Sequence, residues 1–331
     1  MRNKVTKGLL ITGLVVLGWL GTSYYHAINY SAVSNKVIIE ITKGDSFGEI
    51  TRKLLAQNIA INTLWFKVLA YQQGIINHLK PGEYELIPGL TAAQILTQFA
   101  EGKSIRYSVT FPEGWNLKEI LQALAKTSNL EQTLANVTVA DVSKRLGINE
   151  NNPEGWLFPD TYYFEKKAPD LSILTRAHKK MLDVLMEEWQ KKEKDLPYKT
   201  PYEALIMASI VEKETGAKTE RPQIAGVFVR RLAKGMLLQT DPTIIYGMGD
   251  KYKGNIRAND LTTKTPYNTY VIQGLPPTPI AMPGRDAIHA ALHPEQGDSL
   301  YFVAKGDGSH QFSATLTDHN HAVNHFQKHQ K

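Results

Sequence analysis

Gly8 to Ile28 carries no charged residue. As a helix these 21 positions reach roughly 31 Å, close to a bilayer core of about 30 Å. Arg2, Lys4 and Lys7 precede the stretch, no acidic residue occurs before Glu40, and the next basic residue is Lys36. The positive-inside rule then places the N-terminus in the cytoplasm and the rest of the chain outside. Trp19, Tyr24 and Tyr25 fall toward the far end, where an aromatic belt is expected. A cleaved signal peptide is the alternative, but His26, Ala27, Ile28, Asn29 and Tyr30 make a poor small-x-small site. The sequence thus predicts a cytoplasmic segment 1–7, an uncleaved single-pass helix 8–28, and an extracytoplasmic remainder at the inner membrane.

Charge excludes one class of function. The net charge is +6, and without the three N-terminal cations 35 basic residues stand against 32 acidic ones. No basic stripe interleaved with aromatics is present, so nucleic acid is not an expected partner. The chain has no cysteine, which rules out disulfides and thiolate metal sites.

The exported part has 300 or so residues, long enough for more than one domain. Residues 37–103 read as a β-α-α-β module with an appended helix. Val37–Ile41 is a β-branched strand, and Ser46 with Glu49 forms a capping box before Ile50, Leu54 and Leu55. A second helix covers 63–73, a second strand 83–86, and a third helix 91–100 stops at Gly102. The layout of 41–55, strand then Gly turn then capped helix, returns at 110–124. That is either two related modules or ordinary strand-to-helix chemistry. Residues 130–150 read as mixed helix. A long helix from about Leu171 ends in the charged run 187–195 before Pro197. GLPPTPIAMPG (274–284) should be an ordered loop. The fold class is α+β: transmembrane helix, small module, then a mixed catalytic domain, 104–331.

Residues 202–216, YEALIMASIVEKETG, fit a helix stopped at Gly216. It holds Glu212 and Glu214, about 200° apart on the helix and so facing opposite ways. Glu214 follows Met207, Ile210 and Val211 at helical spacing and ends their apolar row. A carboxyl beside apolar groups is desolvated and its pKa rises toward about 6, as a general acid needs. An exposed helix-end glutamate paired with Lys213 or Lys218 fits the same residues. Downstream, Gln239, Thr240 and Asp241 stand beside Pro242, and Asn268, Thr269 and Tyr270 sit between turn residues. Amide, hydroxyl and aromatic groups in this mixture suit a sugar, although each run is also plain turn chemistry.

The runs EGWLFPDTYYF (154–164), ASIVEKETG (208–216), GVFVRRLAKGMLLQTDPTIIYG (226–247), TPYNTY (265–270), GLPP (274–277) with the later PG, and HNHAV (319–323) resemble the YceG-like, endolytic murein transglycosylase family. The resemblance runs from about residue 104 to 326, includes the anchor, and makes 37–103 similar to a LysM-like module. Thr278 departs from the small residue expected after GLPP. What the resemblance implies is lytic cleavage of the MurNAc-β-1,4-GlcNAc bond of peptidoglycan, leaving 1,6-anhydro-MurNAc ends and limiting nascent strand length. The catalytic glutamate it implies is Glu214. Gln239, Asp241, Tyr246, Asn268, Tyr270 and Glu212 are the expected substrate contacts. No cofactor or metal is expected. Expected partners are glycan strands, the membrane, and peptidoglycan synthases with division proteins.

Three rival readings remain open. His319, His321, His325 and His329 could ligate a metal, the last three at i, i+4, i+8. A glycan-binding scaffold of the synthesis complex would need only anchor and module. A muramidase-type hydrolase would use Glu212 or Asp241 to activate water.

Overall fold

The computed structural model describes residues 2–328. Met1 of the 1–7 segment and His329 of the histidine tail lie outside them. Two compact units are present. One comprises the chain up to Tyr107 together with Tyr163–Lys167; the other comprises Ser108–Tyr162 and everything from Ala168 on.

In the first unit, helix α1 spans Arg2–Asn29. Its portion Thr6–Asn29 has a mean hydropathy of 1.4 and is long and apolar enough to cross a membrane, a property anchors and signal sequences share. The far end is tied to the unit: Trp65 Nε1 donates to Ser23 Oγ at 3.1 Å, and Tyr24 packs edge-on against the Trp65 ring. Ala32 and Val33, just beyond the helix, are buried in the unit's core.

The rest of this unit is the expected β-α-α-β arrangement. Strand β1 (Val37–Ile41) pairs antiparallel with β2 (Gly82–Leu86), Ile39 opposite Tyr84. Between them lie α2 (Phe47–Ala56) and α3 (Thr63–Gln72), and α4 (Ala92–Glu101) follows. The capping box of Ser46 and Glu49 forms, and Thr91 with Gln94 makes a second one. Gly102 stops α4 in the left-handed conformation. Ile50, Leu54, Phe66, Tyr84, Leu96 and Phe99 fill the core.

The second unit begins at Ser108, within β3 (Tyr107–Thr110), which leads to α5 (Leu117–Lys126), whose Asn116 and Glu119 form a capping box like that of α2. The similarity between 41–55 and 110–124 is therefore real at the level of helix entry. Residues 130–150 are less helical than their composition suggests. They give a two-residue strand β4 (Leu130–Glu131), a loop, and a short α6 (Val139–Leu146) capped by Thr138. Strand β5 (Thr161–Phe164) pairs with β3, and β6 (Ala168–Pro169) runs parallel to β4.

Helix α7 (Asp170–Gln190) ends inside the charged run. Then come α8 (Pro201–Glu214), α9 (Arg221–Ala233), α10 (Asp241–Met248), α11 (Ala258–Thr262) and α12 (Arg285–Leu292). The hairpin β7 (Tyr301–Ala304) with β8 (His310–Ser313), then α13 (Leu316–Val323) and a π-helical turn over Asn324–Lys328, complete the described chain. Helix α8 is the axis of this unit: α7, α9, α10 and α12 all pack on it. The loop 274–284 is ordered, with Ile280, Ala281 and Met282 buried.

Gly155 sits where this unit has least room. Its φ is +80°, and a β-carbon there would lie 2.4 Å from the Pro279 ring. Gly155→Ala is expected to cost more than about 2 kcal/mol, backbone strain and overpacking combined. Chemical denaturation would read this directly as a lower midpoint.

Candidate active site

Helix α8 starts with Thr200, whose hydroxyl accepts from Glu203 N–H, and Pro201 in its first turn. It ends without a glycine stop. Thr215 takes an extended conformation (φ −142°), and Gly216 does not adopt the left-handed geometry expected of it. Every residue from Ala204 to Val211 is buried. The helix therefore has no single apolar stripe, and both Glu212 and Glu214 leave its end into protein. The expected contrast between a desolvated Glu214 and a polar Glu212 row is not what separates them. Their partners do.

Glu214 is poorly compensated. Burial pushes its carboxyl up to about 7. The one hydrogen bond opposing that shift comes from the Thr240 hydroxyl, which donates to Oε1. The negative charge of Asp241 adds to the rise, while His310 and Arg231 act from further off to lower it. The carbonyl end of α8, where the helix dipole is negative, disfavours ionisation further.

Thr240 is itself fixed. Its N–H donates to Thr269 Oγ1 at 3.1 Å, and Thr243 Oγ1 donates to its carbonyl at 2.7 Å. All three threonines are buried. Gln239, one residue earlier, is held at φ +51°, a left-handed conformation that a glutamine adopts only under constraint. Its N–H donates to Thr269 carbonyl at 3.1 Å. Asp241 opens α10 and is exposed; Tyr270 Oη donates to its Oδ1 at 2.7 Å. Asp241 and Tyr270 thus lie close enough to Glu214 to interact with its charge, and Gln239 directly precedes the Thr240 that bonds it.

Glu212 is compensated. Arg221 Nη2 donates to its Oε1 at 2.7 Å, and Gly284 N–H donates to Oε2 at 2.9 Å. The two side chains are only 5% and 4% exposed, a buried ion pair with Glu113 3.5 Å from the same guanidinium. Burial nevertheless raises the Glu212 pKa, against the pull of Gly284 N–H and Arg221. Both of its oxygens are occupied by protein.

Two further expected contacts are engaged elsewhere. Asn268 is 1% exposed, and its amide donates to the carbonyls of Thr263 (2.7 Å), Asp260 (3.0 Å) and Leu261 (3.2 Å). Its Oδ1 accepts from Tyr270 N–H at 3.0 Å, so it shapes the loop that presents Tyr270. Tyr246 Oη donates to Glu154 Oε2 at 3.1 Å. Glu154 is a second buried carboxyl, pushed up to about 7 by burial and partly relieved by Leu117 N–H.

Four residues near Glu214 or Tyr246 are not singled out by sequence: Thr240 as a donor, Arg231, His310 and Glu154. Arg231 donates to the carbonyls of Leu300 (2.7 Å) and Leu238 (2.8 Å) and lies over the Tyr301 ring. His310 is held by Glu220 at 2.7 Å. A basic and a histidine residue bonded to backbone or to an acid leave no mark in a local sequence pattern. Glu154 does precede a glycine-punctuated aromatic run, the one signal that could have exposed it.

The histidine tail does not form a metal cluster among the described residues. His319 stacks on Tyr301, and the one metal-spaced group among the described residues is Glu188, His289 and His293. There Glu188 is already held by Arg285 at 2.7 Å and His289 at 2.8 Å.

The second unit therefore presents two carboxyls raised to about 7, Glu154 and Glu214; Glu214 stands beside the Thr240 hydroxyl and the Asp241 carboxylate, which itself accepts from the Tyr270 phenol. A family model described as YceG-like matches residues 39–325, and the chain belongs to that family. Among its relatives, an endolytic murein transglycosylase of Bacillus subtilis (strain 168) is 32% identical over 306 residues, covering 86% of this chain and 83% of the relative. One of Streptococcus pneumoniae serotype 2 (strain D39 / NCTC 7466) is 30% identical; the alignment covers 96% of this chain and 65% of the relative. The 2.6 Å crystal structure of a protein described as YceG-like from Listeria monocytogenes matches with a TM-score of 0.54 at 32% identity, covering 87% of this chain and 98% of that one.

Proposed function

We propose that this protein is a membrane-anchored peptidoglycan lytic transglycosylase in which Glu214 is both the acid and the base. The observation that carries the reading is the Glu214 carboxyl itself: part-buried, raised to about 7 by desolvation, and opposed by one hydroxyl hydrogen bond. Its family relatives, named as endolytic murein transglycosylases, supply the substrate class.

Protonated Glu214 gives its proton to the glycosidic oxygen linking MurNAc C1 to the next GlcNAc. The C1–O bond breaks, leaving positive character at C1 and a free GlcNAc hydroxyl. Ionised Glu214 then takes the proton of the MurNAc 6-hydroxyl, whose oxygen closes on C1. The product is a 1,6-anhydro end, and Glu214 is protonated again. No water enters, so a second carboxylate is not required, unlike the two-carboxylate hydrolases. Gln239, Asp241 and Tyr270 supply the glycan contacts in this reading, and the Asp241 carboxylate opposes the positive charge at C1. Asn268 positions Tyr270, Glu212 holds the loop at Gly284, and Tyr246 acts in the neighbouring cleft.

The anchor is α1 with its N-terminus in the cytoplasm, and the first unit is a LysM-like module. Hydrogen bonding of Trp65 to Ser23, near the end of α1, supports an uncleaved helix, since cleavage would remove a contact of the folded unit. The anchor would hold Glu214 on the murein side, beside glycan strands and the synthases and division proteins that handle them.

Mass spectrometry of digested murein tests the chemistry. Wild type should yield anhydro ends and Glu214→Gln none. Reducing muramic acid ends from wild type would instead mean hydrolysis, and intact strands from both would mean a scaffold. Thr240→Val gives a second check. Its hydroxyl stabilises ionised Glu214, so removing it raises the Glu214 pKa. The alkaline limb of the kcat/KM profile is expected to move to higher pH; a limb that stays or moves down contradicts the assignment.

A further inference from the structure

The second unit contains a cleft of about 920 Å³ that the acid does not line. It falls in the size range of about 300–1,000 Å³ typical of ligand sites. Its walls are aliphatic: Leu117, Leu121, Leu124, Val137, Val139 and Ile245. Leu121 is half-buried, and Val139 is 42% exposed. At the base sits Glu154, 3% exposed, accepting from Leu117 N–H at 3.1 and 3.2 Å and from Tyr246 Oη at 3.1 Å. Two cations stand in the lining, Lys118 and Lys213. Lys213 Nζ donates to Gly114 carbonyl at 3.1 Å and has no carboxylate partner among the described residues. Lys118 pairs with Asp250 at 2.6 Å, but both are more than half exposed, an ion pair that exchanges readily.

We propose that this cleft is the subsite for the stem peptide of the murein strand, an inference that rests on the lytic transglycosylase reading. Continuity is the first argument. Lys213 directly precedes Glu214, and Pro242, another lining residue, directly follows Asp241. The acid and the cleft are built on the same two chain segments. In murein the peptide hangs from the muramoyl C3 oxygen, two ring atoms from the reacting C1, so a sugar placed at Glu214 must send its peptide to an adjoining surface.

Chemistry is the second. A sugar ring stacks on flat aromatic faces. This cleft has one aromatic side chain in its lining, Tyr246, and that ring meets Tyr267 edge-on at 4.9 Å. Aliphatic walls fit the methyl groups of alanines and the methylenes of a diamino acid. The lysines fit the peptide carboxylates, and the Glu154 carboxyl fits amide N–H or amine donors at the base. A neutral glycan would leave Lys213 without a counter-charge.

The test uses the full chain in detergent, on uncross-linked strands that carry stem peptides and on the same strands stripped of peptide by an amidase. Wild type is expected to show a kcat/KM about tenfold or more higher on peptide-bearing strands, the weight of a few buried methyl groups. Leu121→Trp and, independently, Val139→Trp fill the cleft and should bring that ratio close to one. A wild-type ratio of one, or a preference that survives both substitutions, overturns the proposal. If wild type cleaves neither substrate, the lytic reading fails by itself. Titration with free stem pentapeptide, followed by NMR, then decides the cleft: saturable binding lost in both variants upholds it, and no binding by wild type overturns it.

Discussion

Glu214→Gln is expected to abolish strand cleavage, by about 10²–10⁴-fold or more, while making the protein more stable at alkaline pH. Both effects have one cause. The folded protein holds this carboxyl at about 7, above the ordinary value of 4.5. A raised carboxyl pKa means the folded state binds the proton more tightly than the unfolded chain does. Below about 4.5 both states are protonated and burial of the neutral acid costs nothing through this linkage. As pH rises from there to about 7 the unfolded chain ionises first, and stability falls; above 7 the full cost is present. Its size is on the order of 3 kcal/mol at most. Glutamine keeps the shape and cannot ionise. Its midpoint in denaturant should therefore exceed that of wild type at pH 8, with the gap closing toward pH 4.5. An inactive variant that is less stable at pH 8 would mean a structural role for Glu214 instead.

Arg221 should show the opposite behaviour, a large loss of stability from breaking a buried pair. Its guanidinium is 4% exposed and meets Glu212 at 2.7 Å. Its Nε and Nη1 make no hydrogen bond among the described residues, so the pair is held by Glu212, with Glu113 at 3.5 Å. Arg221→Leu strands the Glu212 carboxyl inside protein and is expected to cost about 3–5 kcal/mol. The double replacement Glu212→Leu with Arg221→Leu removes both charges and should recover most of that loss. A double-mutant cycle by urea unfolding measures the coupling. Near-additive losses would mean that the pair is not the stabilising contact. Activity adds a further readout, because Glu212 also holds Gly284 N–H at 2.9 Å; loosening that loop should lower turnover less than Glu214→Gln does.

The elements that were legible in the sequence are those whose causes are local. The apolar helix, the capping box at Ser46, the glycine stop at Gly102 and the ordered loop 274–284 each depend on residues within a turn or two of one another. The end of α8 was misread for the same reason. A local rule assigns the stop to Gly216, but the helix ends because Thr215 turns extended into packed surroundings.

Selection between the two glutamates is where local reasoning stops. Helical spacing puts Glu212 and Glu214 on opposite sides of α8, and the two meet different partners. It cannot say which is free, because α8 is enclosed on all sides and both carboxyls are desolvated. Arg221, nine residues on, and Gly284, seventy-two on, neutralise Glu212; Thr240, twenty-six on, gives Glu214 a single hydroxyl. The amino-acid sequence by itself determined the apolar N-terminal helix, the capped helices of the small module and the family motifs. Only the tertiary structure decided that one glutamate is satisfied and the other left protonatable, since desolvation and pairing are set by groups that folding brings from distant parts of the chain.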